Sequence, residues 1–469
     1  MPSVPKNLRA ISSAHPDFAR PRSADLPQAL RALRAEKAAS QACEEAQRQG
    51  LGLERKAQDT LELVRIRLPV WWTFGGLIAG LLTGLLLADS ALLEIVSKPA
   101  ALVGKLWLRA LQMTIIPLVA ALLVLGISQM ALAARAGATA RRMLTLVFAV
   151  LVFSGVSSAA LMPVLLEAFP IPEAASAMLV ADTIESQQVP EIWAFLESLI
   201  APNLVAAAAE TAMLPLTIFF ALFAVAIARL PDGQRATLTG FFHALANAML
   251  TIIGWVLWVA PVGVFALAIG VAARSGGDAF ATLAHYILVV SAMGGVVLLA
   301  TYVLAMFAAR LSPLAFAREM IPSQAVAVST QSSLASLPAM LASAKRLGIS
   351  DTTADFVLPL AVAIFRATSP AMNMAVAIYV AHLAGIELSP IVLAAGIAVA
   401  FIISVGSVSL PGSISFVVSI GPIALAMGVP VEPLAILVAV EMLPDIMRTL
   451  ANVTMNVAVT ATVEQRGKS

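Results

Sequence analysis

The fold class this sequence predicts is an all-α polytopic membrane protein of eight transmembrane helices and two re-entrant helical hairpins. Three observations point there. Of 469 residues, 60% are hydrophobic and only 12% charged, and the mean hydropathy is +0.93; a soluble domain carries about twice that charge, roughly 25%. Eight apolar runs are long enough for a bilayer core of about 30 Å, which takes ~20 helical residues. Two further apolar runs are interrupted by Ser, Gly and Pro. Such backbone is tolerated at membrane depth only inside protein or beside a wet cavity.

In chain order, residues 1–66 come first and differ from the rest. They are rich in Arg, Glu, Gln and Ala, and Leu26, Leu30 and Leu33 share one helical side. No signal-peptide apolar region is present, so a solvated or surface-lying cytoplasmic extension is expected, with a misassigned start as the other reading. The spans are expected at about 69–89, 102–131, 143–169, 193–228, 241–273, 281–309, 352–383 and 433–463. The hairpins are expected at about 321–344, with Ser329, Ser332, Ser333 and Ser336, and at about 390–426, with Ser404, Ser407, Ser409, Ser413 and Ser415. The shared serine clusters mark them as an internal pair.

Orientation follows from Lys and Arg in the short loops. Arg135, Arg141 and Arg142 follow the second span, Arg229 and Arg235 the fourth, and Arg310 and Arg318 the sixth. Lys345 and Arg346 follow the first hairpin, and Arg466 and Lys468 end the chain. The stretch from Glu167 to Glu191 carries Glu173, Asp182 and Glu185 and no basic residue. Both termini are therefore expected in the cytoplasm. The first hairpin then enters from the cytoplasm and the second from outside, and two opposed hairpins meeting at the midplane suggest alternating access.

The last span carries Glu441, Asp445, Arg448 and Asn452 at spacings i, i+4, i+7 and i+11, which is one stripe of a helix. A charge at the bilayer centre costs roughly 2.5–3.5 kcal/mol on insertion scales, so these groups face a partner or a wet cavity. They read as a polar ligand site. Other chemistries are disfavoured. The single cysteine, Cys43, precedes the first span, and His15, His243, His285 and His382 are scattered. No metal or cofactor is expected. Without a phosphate loop, a His-Glu-x-x-His motif or a basic nucleic-acid patch, energy comes from gradients and neither enzyme chemistry nor nucleic-acid binding is indicated.

Four motifs, in order on this topology, resemble the dicarboxylate/amino acid:cation symporter family, the glutamate transporter fold. They are Gln331-Ser332-Ser333-Leu334-Ala335-Ser336-Leu337-Pro338, Leu358-Pro359-Leu360, the run from Ser404 through Ser407 and Ser409 to Pro411-Gly412, and Asp445-x-x-Arg448-Thr449-x-x-Asn452. The resemblance covers about residues 66–465. It implies a homotrimer in the inner membrane, with residues 67–240 mainly scaffold and 281–465 mainly a transport core moving like an elevator. The implied substrate is a small anionic carboxylate, a C4-dicarboxylate or an acidic amino acid. Arg448 would take a substrate carboxylate through its planar fork, and Asp445 the α-ammonium of an amino acid. Asn452 and Thr449 would complete the polar shell, Ser332 and Ser333 would receive the α-carboxylate, and the tip of hairpin two at Gly412 would gate the site. The plainer alternative is that Asp445 and Arg448 neutralise each other.

The chain departs from the family at the cation sites. Phe365-Arg366-Ala367-Thr368-Ser369 stands where sodium-coupled members carry Asn-Met-Asp-Gly-Thr, and Asn456 replaces a second sodium-binding aspartate. A gapped placement on Met372-Asn373-Met374 still lacks the carboxylate. The expectation is that Arg366 supplies permanently the charge that sodium brings elsewhere, with Asn456 and Ser369 beside it. Glu441 is then a proton carrier or an arginine's partner. Transport would be coupled to protons, or would exchange substrates, without sodium. The alternatives are that Arg366 pairs with Asp445 or Glu441 for structure alone, and that the chain is a transport-inactive binding or sensor protein.

Overall fold

The computed structural model describes residues 69–88, 90, 92–135, 137–172, 197, 199–275, 278–406 and 412–468. The expected N-terminal extension, most of the acidic stretch and the tip of hairpin two at 407–411 lie outside them. The described residues are helical throughout, with no strand among them. Five helical stretches are long and apolar enough to cross a membrane, and shorter apolar helices accompany them. Outward-facing apolar side chains such as Leu86, Leu288 and Phe307 suit a lipid surface. Trp71, Trp72, Trp255 and Trp258, exposed at helix ends, suit its interfacial belts.

The first group of helices is α1 (Val70–Leu87), α2 (Leu92–Arg135), α3 (Ala138–Ala168), α4 (Leu204–Ala209), α5 (Met213–Ile227), α6 (Asp232–Trp258) and α7 (Ala260–Ser275). The single span expected at 241–273 is thus two helices. Pro261 lacks the N–H that would continue α6 through Leu257, so the helix ends at Trp258 and a new one begins. Trp107 on α2 seals this corner. Its indole N–H donates to Val256 O at 2.9 Å, and Gly263 leaves room for the ring, which a Cβ there would strike. α1 lies on α7 through Gly76, Gly80 and Gly84, whose missing side chains let the backbone approach the carbonyls of Pro261, Phe265 and Ile269. Without a hydrophobic drive between helices in lipid, such close packing is what holds them.

The second group is α8 (Asp278–Phe307), α9 (Pro313–Thr330), α10 (Leu337–Arg346), α11 (Asp351–Ile364), α12 (Ser369–Leu383), α13 (Pro390–Gly406), α14 (Gly412–Ala426), α15 (Leu434–Leu437) and α16 (Met442–Lys468). α9 and α10 form the first hairpin. At ~1.5 Å per residue, the 10 residues of α10 rise only about 15 Å, half a bilayer core. α13 and α14 pair as the second hairpin. Two more expected spans, at 352–383 and 433–463, are broken. Pro370 cannot donate to the carbonyl of Arg366, so α11 stops at Ile364, Phe365 is extended, and α12 begins at Ser369. Pro444 does the same for the last span, and Glu441 therefore lies on the turn between α15 and α16 instead of within one helix.

α16 runs through the middle of this group, packed against α8, α9, α10, α11 and α3. α12 is apolar all round and buried at every position except His382, as a central helix must be. It packs against α3, α8 and both arms of hairpin two. The two helix breaks consequently sit side by side at the centre, and that is where polar side chains collect.

Candidate functional site

Two helix starts, those of α12 and α16, build the site. A broken helix leaves the first amides of its second half without partners. At α12 other elements supply them. Asn452 Oδ1 on α16 accepts both the backbone N–H and the hydroxyl of Thr368, each at 3.0 Å. Ser154 on α3 accepts from the N–H of Ala371 at 3.1 Å and donates to Ala367 O at 2.6 Å. Ser369 N turns back to Arg366 O at 3.0 Å, and Pro370 has no N–H to satisfy. The α12 terminus is closed by protein.

Arg448 is the centre of the ionic cluster. Its Nη2 donates to Glu441 Oε1 at 2.8 Å and its Nη1 to Asn373 Oδ1 at 2.8 Å, while its Nε stands 3.4 Å from Asp445 Oδ1. Asn373 in turn donates to Ser369 Oγ at 3.0 Å. The other oxygen of Glu441 accepts from the Tyr286 hydroxyl at 3.5 Å, across from α8. Glu441 is 0% and Arg448 5% exposed, so this pairing is screened very little by water. Thr449, also buried, adjoins Arg448 on α16.

Arg366 has a different situation. It lies between Phe365 and the start of α12, half-buried, and its guanidinium makes no hydrogen bond or ion pair among the described residues. It is near enough to Asp445 to be attracted and to Arg448 to be repelled. It pairs with neither Asp445 nor Glu441, because Arg448 holds both. Formally the four charges cancel: Glu441 and Asp445 against Arg448 and Arg366. A second gap in the network is Asn456, one turn beyond Asn452 and 1% exposed, with neither side-chain Oδ1 nor Nδ2 hydrogen-bonded.

The tip of hairpin one folds on itself. Gln331 adopts the left-handed conformation that ends α9 and donates to Met442 O at 3.3 Å, which anchors the tip to the start of α16. Ser332 Oγ accepts from Ala335 N at 3.2 Å, and Ser332 and Ser333 stay half-exposed. Gly412 opens α14 at the edge of the residues beyond description.

Of the residues singled out in the sequence, the structure thus joins Arg448, Glu441, Asp445 and Ser369, the last through Asn373, and ties Asn452 to the neighbouring break. It leaves Arg366 and Asn456 unpartnered. Sequence reasoning passed over Tyr286, Ser154 and the role of Asn373. One signal was available: a hydroxyl or amide on an apolar membrane helix needs a partner. Which partner it finds depends on helix packing.

Residues 70–466 match the model of the sodium:dicarboxylate symporter family. The chain is 31% identical over 264 residues to the proton/glutamate-aspartate symporter of Escherichia coli (strain K12), a stretch covering 55% of this chain and 59% of that protein. It is 25% identical over 387 residues, 82% of this chain and 89% of the other, to the proton/sodium-glutamate symport protein of Bacillus subtilis (strain 168). It is 29% identical over 246 residues, 51% of this chain and 45% of the other, to the neutral amino acid transporter B(0) of Bos taurus.

Proposed function

Because the chain belongs to the sodium:dicarboxylate symporter family, whose members are transporters and not enzymes, we propose that it carries a small anionic carboxylate across the inner membrane, coupled to protons or in exchange, without sodium. The single observation carrying this is the unpartnered Arg366 beside the Glu441–Arg448–Asp445 cluster. Half-helix C-termini and unwound carbonyls are where such transporters hold a cation, and Arg366 follows the C-terminus of α11 by two residues. A fixed guanidinium there does by covalent attachment what a bound sodium ion does elsewhere. Asn456, lacking charge, is consistent with that.

In this reading the substrate carboxylate replaces Glu441 on the fork of Arg448, and Glu441 leaves as a neutral acid. Burying a further charge without a counter-charge costs several kcal/mol, so uptake of the anion and of the proton go together. Asp445 has only a loose contact at 3.4 Å, which leaves a carboxylate oxygen for an α-ammonium. An acidic amino acid is therefore the first substrate class and a C4-dicarboxylate the second, in keeping with the names of the Escherichia coli and Bacillus subtilis relatives. Thr449, Asn452, Ser332, Ser333 and Gly412 complete the site in this scheme. The dense packing within α1, α2, α5, α6 and α7, and within α8–α12 and α16, supports a scaffold and an elevator-type transport core; the homotrimer rests on the family resemblance and the cytoplasmic termini on the Lys and Arg of the short loops.

Uptake of labelled aspartate and succinate into proteoliposomes, with sodium and proton gradients imposed separately, tests this. Uptake driven by protons or by counter-substrate alone is the expected result. Strict dependence on sodium overturns the reading. The second reading, a transport-inactive binding protein, is favoured only by the three-way hold on Arg448. Substrate binding without any uptake identifies it.

A further inference from the structure

Glu441 is held unevenly. Its Oε1 accepts from Arg448 Nη2 at 2.8 Å, while its Oε2 accepts from the Tyr286 hydroxyl at 3.5 Å. We propose that Tyr286 is a positioning residue for Glu441: by donating to Oε2 it keeps the acid hydrogen on Oε1, aimed at a substrate carboxylate on Arg448. This rests on the reading above, in which Glu441 turns neutral as the substrate binds.

Tyr286 is fully buried, and the bond to Glu441 is the only hydrogen bond of its hydroxyl among the described residues. Packing against the edge-on ring of Tyr379, with centroids 5.3 Å apart, needs only phenylalanine. A buried phenol usually has a partner for its hydroxyl as well. At 3.5 Å that partner stands beyond the usual O–H···O range of about 2.5–3.0 Å. The carboxylate is drawn to Arg448, and the phenol is left poorly bonded in a dry site. The backbone of Glu441 is pinned, its carbonyl accepting from Asp445 N at 2.9 Å, so the side chain is the part that moves. Once substrate takes its place on Arg448, a shift of about 0.7 Å gives the phenol an ordinary hydrogen bond.

The hydrogens then fall in one order. Tyr286 has a single hydroxyl hydrogen, and giving it to Oε2 makes Oε2 the carbonyl oxygen of the neutral acid. The proton taken up with the substrate sits on Oε1, the oxygen nearest Arg448, and donates to the substrate carboxylate. The reverse order, with the acid hydrogen on Oε2 and the phenol accepting, strands the phenol's own hydrogen and is the costlier one. The charged and titratable groups around this pair are Arg448 and Asp445 from α16 and Tyr379 from α12, with Arg366 near Asp445. Among the described residues none of these bonds the Tyr286 hydroxyl.

The test is binding of labelled aspartate to the purified protein in detergent at several pH values. Tyr286→Phe removes one oxygen and keeps the ring. Its dissociation constant should rise about three- to tenfold, the size of one net hydrogen bond. Tyr379→Phe removes a hydroxyl that meets Thr282 and His285 and not Glu441. It should bind within about twofold of the parent, the tolerance of independent sites. In a Glu441→Ala background, Tyr286→Phe should also change affinity less than about twofold, because the coupled partner is gone. Unchanged affinity in Tyr286→Phe overturns the proposal. So does an equal loss in Tyr379→Phe or in the Glu441→Ala background, since either marks a packing role. Parent binding that does not tighten as the pH falls defeats the reading of Glu441 as proton carrier, whatever Tyr286→Phe does.

Discussion

Arg448 gathers two carboxylates and an amide on one guanidinium, and this decides what a substitution nearby does. Glu441→Gln keeps the shape and can still accept from Arg448, but it carries no titratable proton. Under the proposed reading, proton-gradient stimulation of net uptake should vanish in this variant, leaving uptake driven only by the substrate's own gradient; an undiminished response to pH would assign the proton elsewhere. Arg366 and Asn456 can be examined together. The double change Arg366→Met and Asn456→Asp exchanges a fixed cation for a buried carboxylate on α16, one turn beyond Asn452, which then lacks a counter-charge. Sodium should stabilise this variant and not the parent. Binding to the folded state alone adds about 2.7 kcal/mol at a hundredfold excess over the dissociation constant. A melting curve in sodium against choline reads this directly, and indifference to sodium would remove Arg366 from the role of built-in cation.

The helices themselves owe their breaks to proline and their closest approaches to glycine. Pro261, Pro370 and Pro444 each interrupt an apolar run that hydropathy alone reads as one span. Ser154 on α3 then repairs the α11–α12 break by bonding Ala367 O and Ala371 N, which pins a discontinuous helix that would otherwise carry unsatisfied groups into a dry interior. The seam of Gly76, Gly80 and Gly84 is the opposite kind of device, with no polar bond and only contact. Gly80→Ile introduces a side chain where the Phe265 carbonyl and Ala268 already sit. Overpacking of this kind costs about 1–3 kcal/mol, so a lowered melting temperature is expected in detergent. Gly75→Ile, one position from the seam and with open space around it, should melt as the parent does. Equal melting of Gly80→Ile and Gly75→Ile would mean that the seam is not a fixed contact.

For the whole molecule, under the proposed reading, the charge sum sets the coupling. Glu441 and Asp445 balance Arg448 and Arg366 before any substrate arrives, so an acidic amino acid brings one excess negative charge and a dicarboxylate two. A core that stays neutral then requires one proton per aspartate and two per succinate. Flux measured against pH and substrate gradients at null potential gives this ratio, and an equal ratio for both substrates would contradict it. Much of this was legible in the order of residues. Apolar runs, their Ser- and Pro-broken counterparts and the stripe from Glu441 to Asn452 are local patterns, because hydropathy and helical periodicity act over a few turns of one chain segment. The same locality explains what the sequence could not decide. Whether Arg448 faces Glu441 or a substrate, whether Arg366 finds an anion, and which helix meets the glycines of α1 all depend on segments far apart in the chain. The pairing of Glu441 with Tyr286 spans 155 positions. The amino-acid order by itself determined a membrane-spanning helical transporter fold with a buried ionic site. Only the tertiary structure decided which charges cancel within it and which one is left over, because ion pairing in a dry core is set by distances of a few ångström between helices that periodicity along one helix does not encode.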